Sequence, residues 1–149
     1  MASLTCRRRI AAPISQVFAV FTDFAGAPDR ISGIQSLEVL TDGPVGTGTR
    51  FRETRVMFGK EATEEMEITA FEPDRSYRVE AESQGCRFET TFDFESVEGG
   101  TDVTMVFTGY AQSLLAKLMT PLTWIMAGAT RKLIEADLDD LKSYCESQT

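Results

Sequence analysis

Two hydrophobic periods alternate along this chain, and their order predicts its architecture. Leu4 to Ile10 reads as a strand, and Pro13 follows where a fixed φ and a missing N–H are tolerated at a helix start. Val17, Phe18, Phe21 and Phe24 then recur on one face of a short amphipathic helix that Gly26-Ala27-Pro28 brings to an end. Asp29 to Ser32 supplies a further helical turn before Gly33 releases the chain.

From Ile34 the period changes to two, the spacing of a half-buried strand. Leu37 and Val39 alternate with Ser36 and Glu38, and Asp42-Gly43-Pro44 turns the chain. Thr49 to Phe58 is the next strand, Gly59-Lys60 a turn, and Glu64 to Phe71 a strand in which Met66, Ile68 and Ala70 oppose Glu65, Glu67 and Thr69. After Pro73-Asp74, Tyr77, Val79 and Ala81 alternate with charged residues; after Gln84-Gly85, Phe88, Thr90, Phe92 and Phe94 alternate with Glu89, Thr91, Asp93 and Glu95. Gly99-Gly100 leads into Val103, Met105 and Phe107. Connections this short make consecutive strands antiparallel neighbours, since a parallel pair needs a crossover of about a dozen residues or more.

After Gly109 the period returns to three and four through Leu115, Leu118, Met119, Leu122, Ile125, Met126, Ala129, Leu133, Ala136, Leu141 and Tyr144. Thr120-Pro121 predicts a break or kink, with Thr120 as cap and Pro121 in a first turn. Arg131, Lys132, Glu135, Asp139, Asp140 and Lys142 supply the wet face. A sheet with one apolar face must cover it, and this is the one long amphipathic element the pattern offers. A twisted sheet curling about such a rod leaves a concave apolar gap, the usual setting for a small ligand. The expectation is one α+β domain over residues 1–149.

Composition narrows the partners. At 149 residues, with 42% hydrophobic and 26% charged residues, the chain can bury a substantial core. A formal net charge of -8 repels nucleic acid and anionic membranes. Arg7-Arg8-Arg9 is the one basic run, and strand alternation prevents it from presenting a single face, so an edge-strand or solvated role is expected. The stretch after it is broken by Pro13, Ser15 and Gln16, which argues against a secretory leader, and Ala111 to Gly128 is too interrupted to span a bilayer. Cys6, Cys86 and Cys145 are widely spaced, and the chain has no histidine, so neither a metal site nor a cofactor is expected. Reduced thiols and cytoplasmic residence are the expectation, as a monomer or homodimer.

The order of elements, with Ile10-Ala11-Ala12-Pro13 before Val17-Phe18, Val45-Gly46-Thr47-Gly48-Thr49-Arg50-Phe51, Phe71-Glu72-Pro73-Asp74-Arg75, Gly99-Gly100-Thr101-Asp102-Val103-Thr104 and Leu138-Asp139-Asp140-Leu141-Lys142, resembles the START-related superfamily, in particular its bacterial polyketide-cyclase-like branch. These patterns cover almost the whole chain and are turns and strand starts, so they transfer no catalytic residue. The resemblance implies a helix-grip fold: a curved antiparallel sheet of about seven strands, in the order β-α-α-β6-α, wrapped around the long C-terminal helix. It also implies an apolar or amphipathic ligand such as a lipid, an aromatic polyketide or a related metabolite.

The candidate ligand-binding wall is Phe51, Glu53, Arg55, Tyr77, Phe88, Thr90, Phe92, Met105, Phe107, Leu118, Leu122 and Met126, with Phe94 in the same apolar face. One phase of the strand from Thr49 turns Phe51, Glu53, Arg55 and Met57 inward, where Glu53 and Arg55 satisfy each other and fix a polar ligand group; the other turns Val56 and Phe58 inward and leaves both charges in water. Tyr77 and Thr90 are hydroxyls that either orient a ligand or bond to backbone. Three functions stay open: a small-molecule-binding module, a cyclase or dehydrase moving protons with Glu53, Tyr77 or water, and a co-chaperone-like interaction domain.

Overall fold

The computed structural model describes residues 2–57, 59–83, 86–111 and 120–148. Strand β1 (Ala2–Ile10) is followed by helix α1 (Ile14–Thr22), a 3-10 turn (Phe24–Gly26) and helix α2 (Ala27–Arg30). Strands β2 (Ile34–Val39), β3 (Arg50–Met57), β4 (Lys60–Glu72), β5 (Ser76–Ser83), β6 (Cys86–Val97) and β7 (Gly100–Ala111) come next, then helix α3 (Thr120–Ser147). The sheet has seven strands in the order β1-β7-β6-β5-β4-β3-β2, every pair antiparallel. The meander therefore forms as its turns require, and β1 closes the far edge by pairing with β7 from Ala2↔Gly109 to Ile10↔Thr101.

Several boundaries differ from the sequence reading. Pro13 is extended and precedes α1 instead of lying in its first turn, while Pro28 lies inside the first turn of α2, which ends at Arg30. Strand β4 begins at Lys60, so the β3–β4 hairpin pairs Met57 with Lys60. Strand β7 runs through Gly109 to Ala111, because main-chain pairing with β6 continues to Cys86↔Ala111 past the glycine. The helical reading of Leu115, Leu118 and Met119 falls outside the described residues. A register shift between Ile68 and Ala70 places Phe71, not Ala70, opposite Tyr77 and against the ring of Phe18, 5.4 Å between centroids.

The inner face of the sheet carries the core. Ile10, Ile68, Phe94 and Val103 are buried with Val17, Phe18 and Phe21 of α1, and the Phe18 and Phe21 rings meet Phe94 edge-on at 5.1 and 5.3 Å. Where β1 gives way to α1, a Cβ on Gly100 would stand 2.1 Å from the Ile10 carbonyl oxygen, so the strands approach more closely than any other residue permits. Next to it, fully buried Thr101 donates its hydroxyl to the Ala12 carbonyl at 2.8 Å.

Helix α3 buries Ile134, Leu138, Leu141 and Cys145, spaced four, three and four, whereas Ala136 is exposed and Leu133 half-buried. The apolar stripe is thus rotated from the one read through Leu133 and Ala136. Residues assigned to its wet face instead tie the helix down: Glu135 and Asp139 pair with Arg8 of β1, and the Asp140 carboxylate accepts from Ser32. Of the basic run, Arg8 turns inward to the helix while Arg7 and Arg9 point away, on an edge strand as expected.

Candidate functional site

Strand β3 adopts the phase that turns Phe51, Glu53 and Arg55 inward. Phe51 is buried against Phe24, rings stacked at 4.6 Å, Glu53 is only 8% exposed, and Val56 is 52% exposed. The contest between two apolar phases is settled by Phe51, whose ring fills space under the 3-10 turn that Val56 is too short and too distal to fill.

Two charges in an apolar wall need partners, and Arg55 has two. Its Nε donates to Glu53 Oε1, and its Nη1 and Nη2 donate to Asp137 Oδ1 and Oδ2 of α3 at 3.1 and 2.6 Å. Burial works against the Arg55 charge, but the bonds and charges of Asp137 and Glu53 outweigh it and hold its pKa above the ordinary arginine value. Burial pushes the Asp137 carboxyl above its usual range against the pull of Arg55, with Asp140 adding to the rise. Directly across from Glu53 on β4 lies half-buried Glu64, raised by burial and by the Glu53 charge and opposed by Arg55. One guanidinium therefore serves a patch holding Glu53, Glu64 and Asp137. The sequence reading missed Asp137 and Glu64, though both left a signal: Asp137 sits within the Ile134, Leu138, Leu141 stripe, and Glu64 shares the phase of Met66 and Ile68.

The remaining candidates divide into two groups. Tyr77 and Met105 belong to the solid core at the α1 end: Tyr77 is 2% exposed, stacks on Phe92 at 4.6 Å, and donates its hydroxyl to the Phe21 carbonyl at 3.4 Å. Burial raises its phenol far above the usual tyrosine value, so it stays protonated. Phe88, Thr90, Phe92 and Phe107 face the same concave side but are only half-buried, with Phe88 and Phe107 stacked at 5.6 Å. The Thr90 hydroxyl makes no hydrogen bond to another described residue. Leu118 lies outside the described residues; Leu122 and Met126 belong to α3, but their side chains lie outside those described.

Burial on the concave face thus falls away from α1. Ile68↔Val79↔Thr90↔Phe107 runs across four strands, and the next inward-facing row, Phe51↔Met66↔Ala81↔Phe88, ends beside Glu53 and Glu64. Contacts fix the direction of α3 above these rows: Arg131 reaches the Thr5 carbonyl, whereas Glu146 accepts from the Ala11 amide near α1. The first turns of α3 therefore extend toward the less buried end. On the outer face lies a hollow of about 390 Å³ whose lining is mainly polar and charged, Arg7, Arg75, Asp93 and Glu95 among it.

A curved seven-stranded antiparallel sheet gripping a C-terminal helix is the START-type helix-grip fold, and the solved structures agree. A protein of Thermus thermophilus superposes with a TM-score of 0.79 at 22% identity, covering 99% of each chain. A START superfamily protein from Mycobacterium smegmatis gives 0.78 at 14% identity, again over 99% of each. The di-domain ARO/CYC StfQ from the steffimycin biosynthetic pathway gives 0.74 at 11% identity over 98% of this chain and 51% of that one. The chain belongs to the family described as polyketide cyclase / dehydrase and lipid transport, whose model matches residues 1–146. No curated protein sequence matches it. Among the described residues, no helix is long and apolar enough to cross a membrane.

Proposed function

We propose that this protein binds an apolar or amphipathic small molecule, such as a lipid, a polyketide or a related metabolite, in a hollow between the sheet and the first half of α3. The observation that carries this reading is that two adjacent inward-facing rows are only half-buried at Thr90 and Phe107 in one and at Met66 and Phe88 in the other, the second lying beside the Glu53–Arg55–Asp137 patch. Aromatic and thioether side chains form an adaptable apolar wall, and Glu64 and Thr90 offer hydrogen bonds that no described residue takes up. Family membership and the superposition on StfQ of the steffimycin biosynthetic pathway support the same ligand class.

Magnitudes say what the ligand must look like. Burying roughly 300 Å² of apolar surface gains about 7 kcal/mol, and association costs about 4 or more, which leaves millimolar affinity. Micromolar binding therefore requires a polar group on the ligand that meets Glu64, Thr90 or the Arg55 patch. Thr90→Trp tests this by filling the hollow from its wall: fluorescence titration with fatty acids and hydroxylated polycyclic aromatics should show saturable uptake by the wild type and at least tenfold weaker uptake by the variant, a difference of about 1.4 kcal/mol or more. Equal uptake by a folded variant places the ligand elsewhere.

The alternative of a cyclase or dehydrase draws support from the family description and the StfQ superposition. In that case Glu53 or Glu64, or water held by them, would carry the proton, because the Tyr77 hydroxyl is occupied by Phe21 in the core. Where Glu53 is the carrier, Glu53→Gln would abolish turnover while leaving ligand affinity nearly intact; where Glu64 is, Glu64→Gln would.

A further inference from the structure

Helix α3 is held to the sheet differently on its two flanks. Along β1 it packs directly and is tied to the main chain: Arg131 Nη1 donates to the Thr5 carbonyl at 3.2 Å, Lys142 Nζ to the Arg9 carbonyl at 2.8 Å, and the Ala11 amide to Glu146 at 3.0 Å. Arg8 adds an ion pair to Asp139 at 2.6 Å. On the opposite flank the helix is joined to β3 from side chain to side chain by Arg55–Asp137, and to the chain before β2 by Asp140, whose Oδ2 accepts from both the amide and the hydroxyl of Ser32 at 3.0 Å. Gly33 fits beneath the first bridge, where a Cβ would stand 3.2 Å from Arg55 Nη1.

Among the described residues, that asymmetry makes the β3 flank the weaker seam. Opening this flank breaks the Arg55–Asp137 bridge and the two bonds from Ser32 to Asp140, yet Arg55 keeps its bond to Glu53 through Nε, so the guanidinium is never left without a counter-charge. Asp137, whose ionised form burial disfavours, moves toward water as it leaves. Parting α3 from β1 instead takes away the donors to the Thr5 and Arg9 carbonyls and the acceptor of the Ala11 amide, together with the Arg8 pair. Behind the weaker seam lie Glu53, Glu64 and Met66, the wall assigned above to the ligand.

We propose that the flank between α3 and the β2–β3 hairpin is the ligand's route into the hollow, with Arg55–Asp137 as its clasp. This rests on the binding reading, and its test is built to fail separately. Ser32→Cys with Asp140→Cys, in a chain carrying Cys86→Ser, replaces the outer bridge of the seam with a disulfide that reductant reopens. Release of 8-anilinonaphthalene-1-sulfonate, followed by stopped-flow fluorescence, should slow by about tenfold or more when the tether closes, about 1.4 kcal/mol in the barrier, and recover on reduction. Unchanged release overturns the route. If the dye shows no saturable binding at all, the binding reading fails, and hydrogen exchange decides the clasp alone. Asp137→Asn should then speed exchange of the amides around residues 32–39 and the middle turns of α3 while those of β1 keep their protection. Equal loss on both flanks, or none, overturns the clasp.

Discussion

Removing Arg55 is the sharpest test of how this interior is held together. Arg55→Met keeps most of the side chain's length and apolar stem but withdraws the guanidinium that Glu53 and Asp137 share. The Glu53, Arg55 and Asp137 side chains are 10%, 20% and 20% exposed, so water compensates little. Breaking a buried pair from one side costs about 3–5 kcal/mol, a large share of the roughly 5–15 kcal/mol that stabilises a domain. The sign of the pH dependence follows from the carboxyls left behind. Asp137 and Glu64 already sit above their ordinary range, and without the cation the folded state binds still more protons than the unfolded chain. Stability of the variant must then rise as pH falls, by at most about 1.4 kcal/mol per unit for each carboxyl that protonates. Urea unfolding followed by far-ultraviolet circular dichroism at about pH 7.5 and about pH 5 measures both effects. A deficit under about 1 kcal/mol at the higher pH, or one equal at the two pH values, refutes a buried ionic patch.

Two further outcomes follow from single positions. Gly100→Ala should destabilise the fold by about 1–3 kcal/mol or more in the same assay, because the new methyl meets the Ile10 carbonyl backbone, which cannot swing aside. For Glu64→Gln, the raised folded pKa means that the glutamate's contribution is complete below the ordinary carboxylate range and is lost as pH rises through the folded value. The amide does not titrate, so the variant should match the wild type near about pH 4 and exceed it in stability by about pH 7; a gap independent of pH would place Glu64 in water.

The sheet was legible because its strands alternate cleanly between turn residues, most of all in β5 to β7, where Tyr77 to Phe107 keep a strict period of two. What escaped were features that a period cannot encode. The shift after Ile68 that exchanges Ala70 for Phe71 is set by pairing with β5, and the continuation of β7 past Gly109 is set by pairing with β6. Phe51 against Val56 could not be decided from one strand, since the winner depends on Phe24 in another element. The Arg55–Asp137 bridge joins residues 82 apart, and Asp137 was hidden because a charge within an apolar helix stripe ordinarily belongs to water. Tyr77 shows the converse: a hydroxyl in the right phase spends itself on a backbone carbonyl.

The central claim is that the less buried end of the concave face holds a small molecule. Native mass spectrometry of the protein purified from its own host tests it most directly, with extraction and identification of whatever accompanies the chain. The expected result is a population heavier than the polypeptide by the mass of one lipid-like or aromatic metabolite, released on denaturation and absent from Thr90→Trp. The bare polypeptide mass in every preparation, together with no saturable uptake from lipid and polyketide panels, would contradict it.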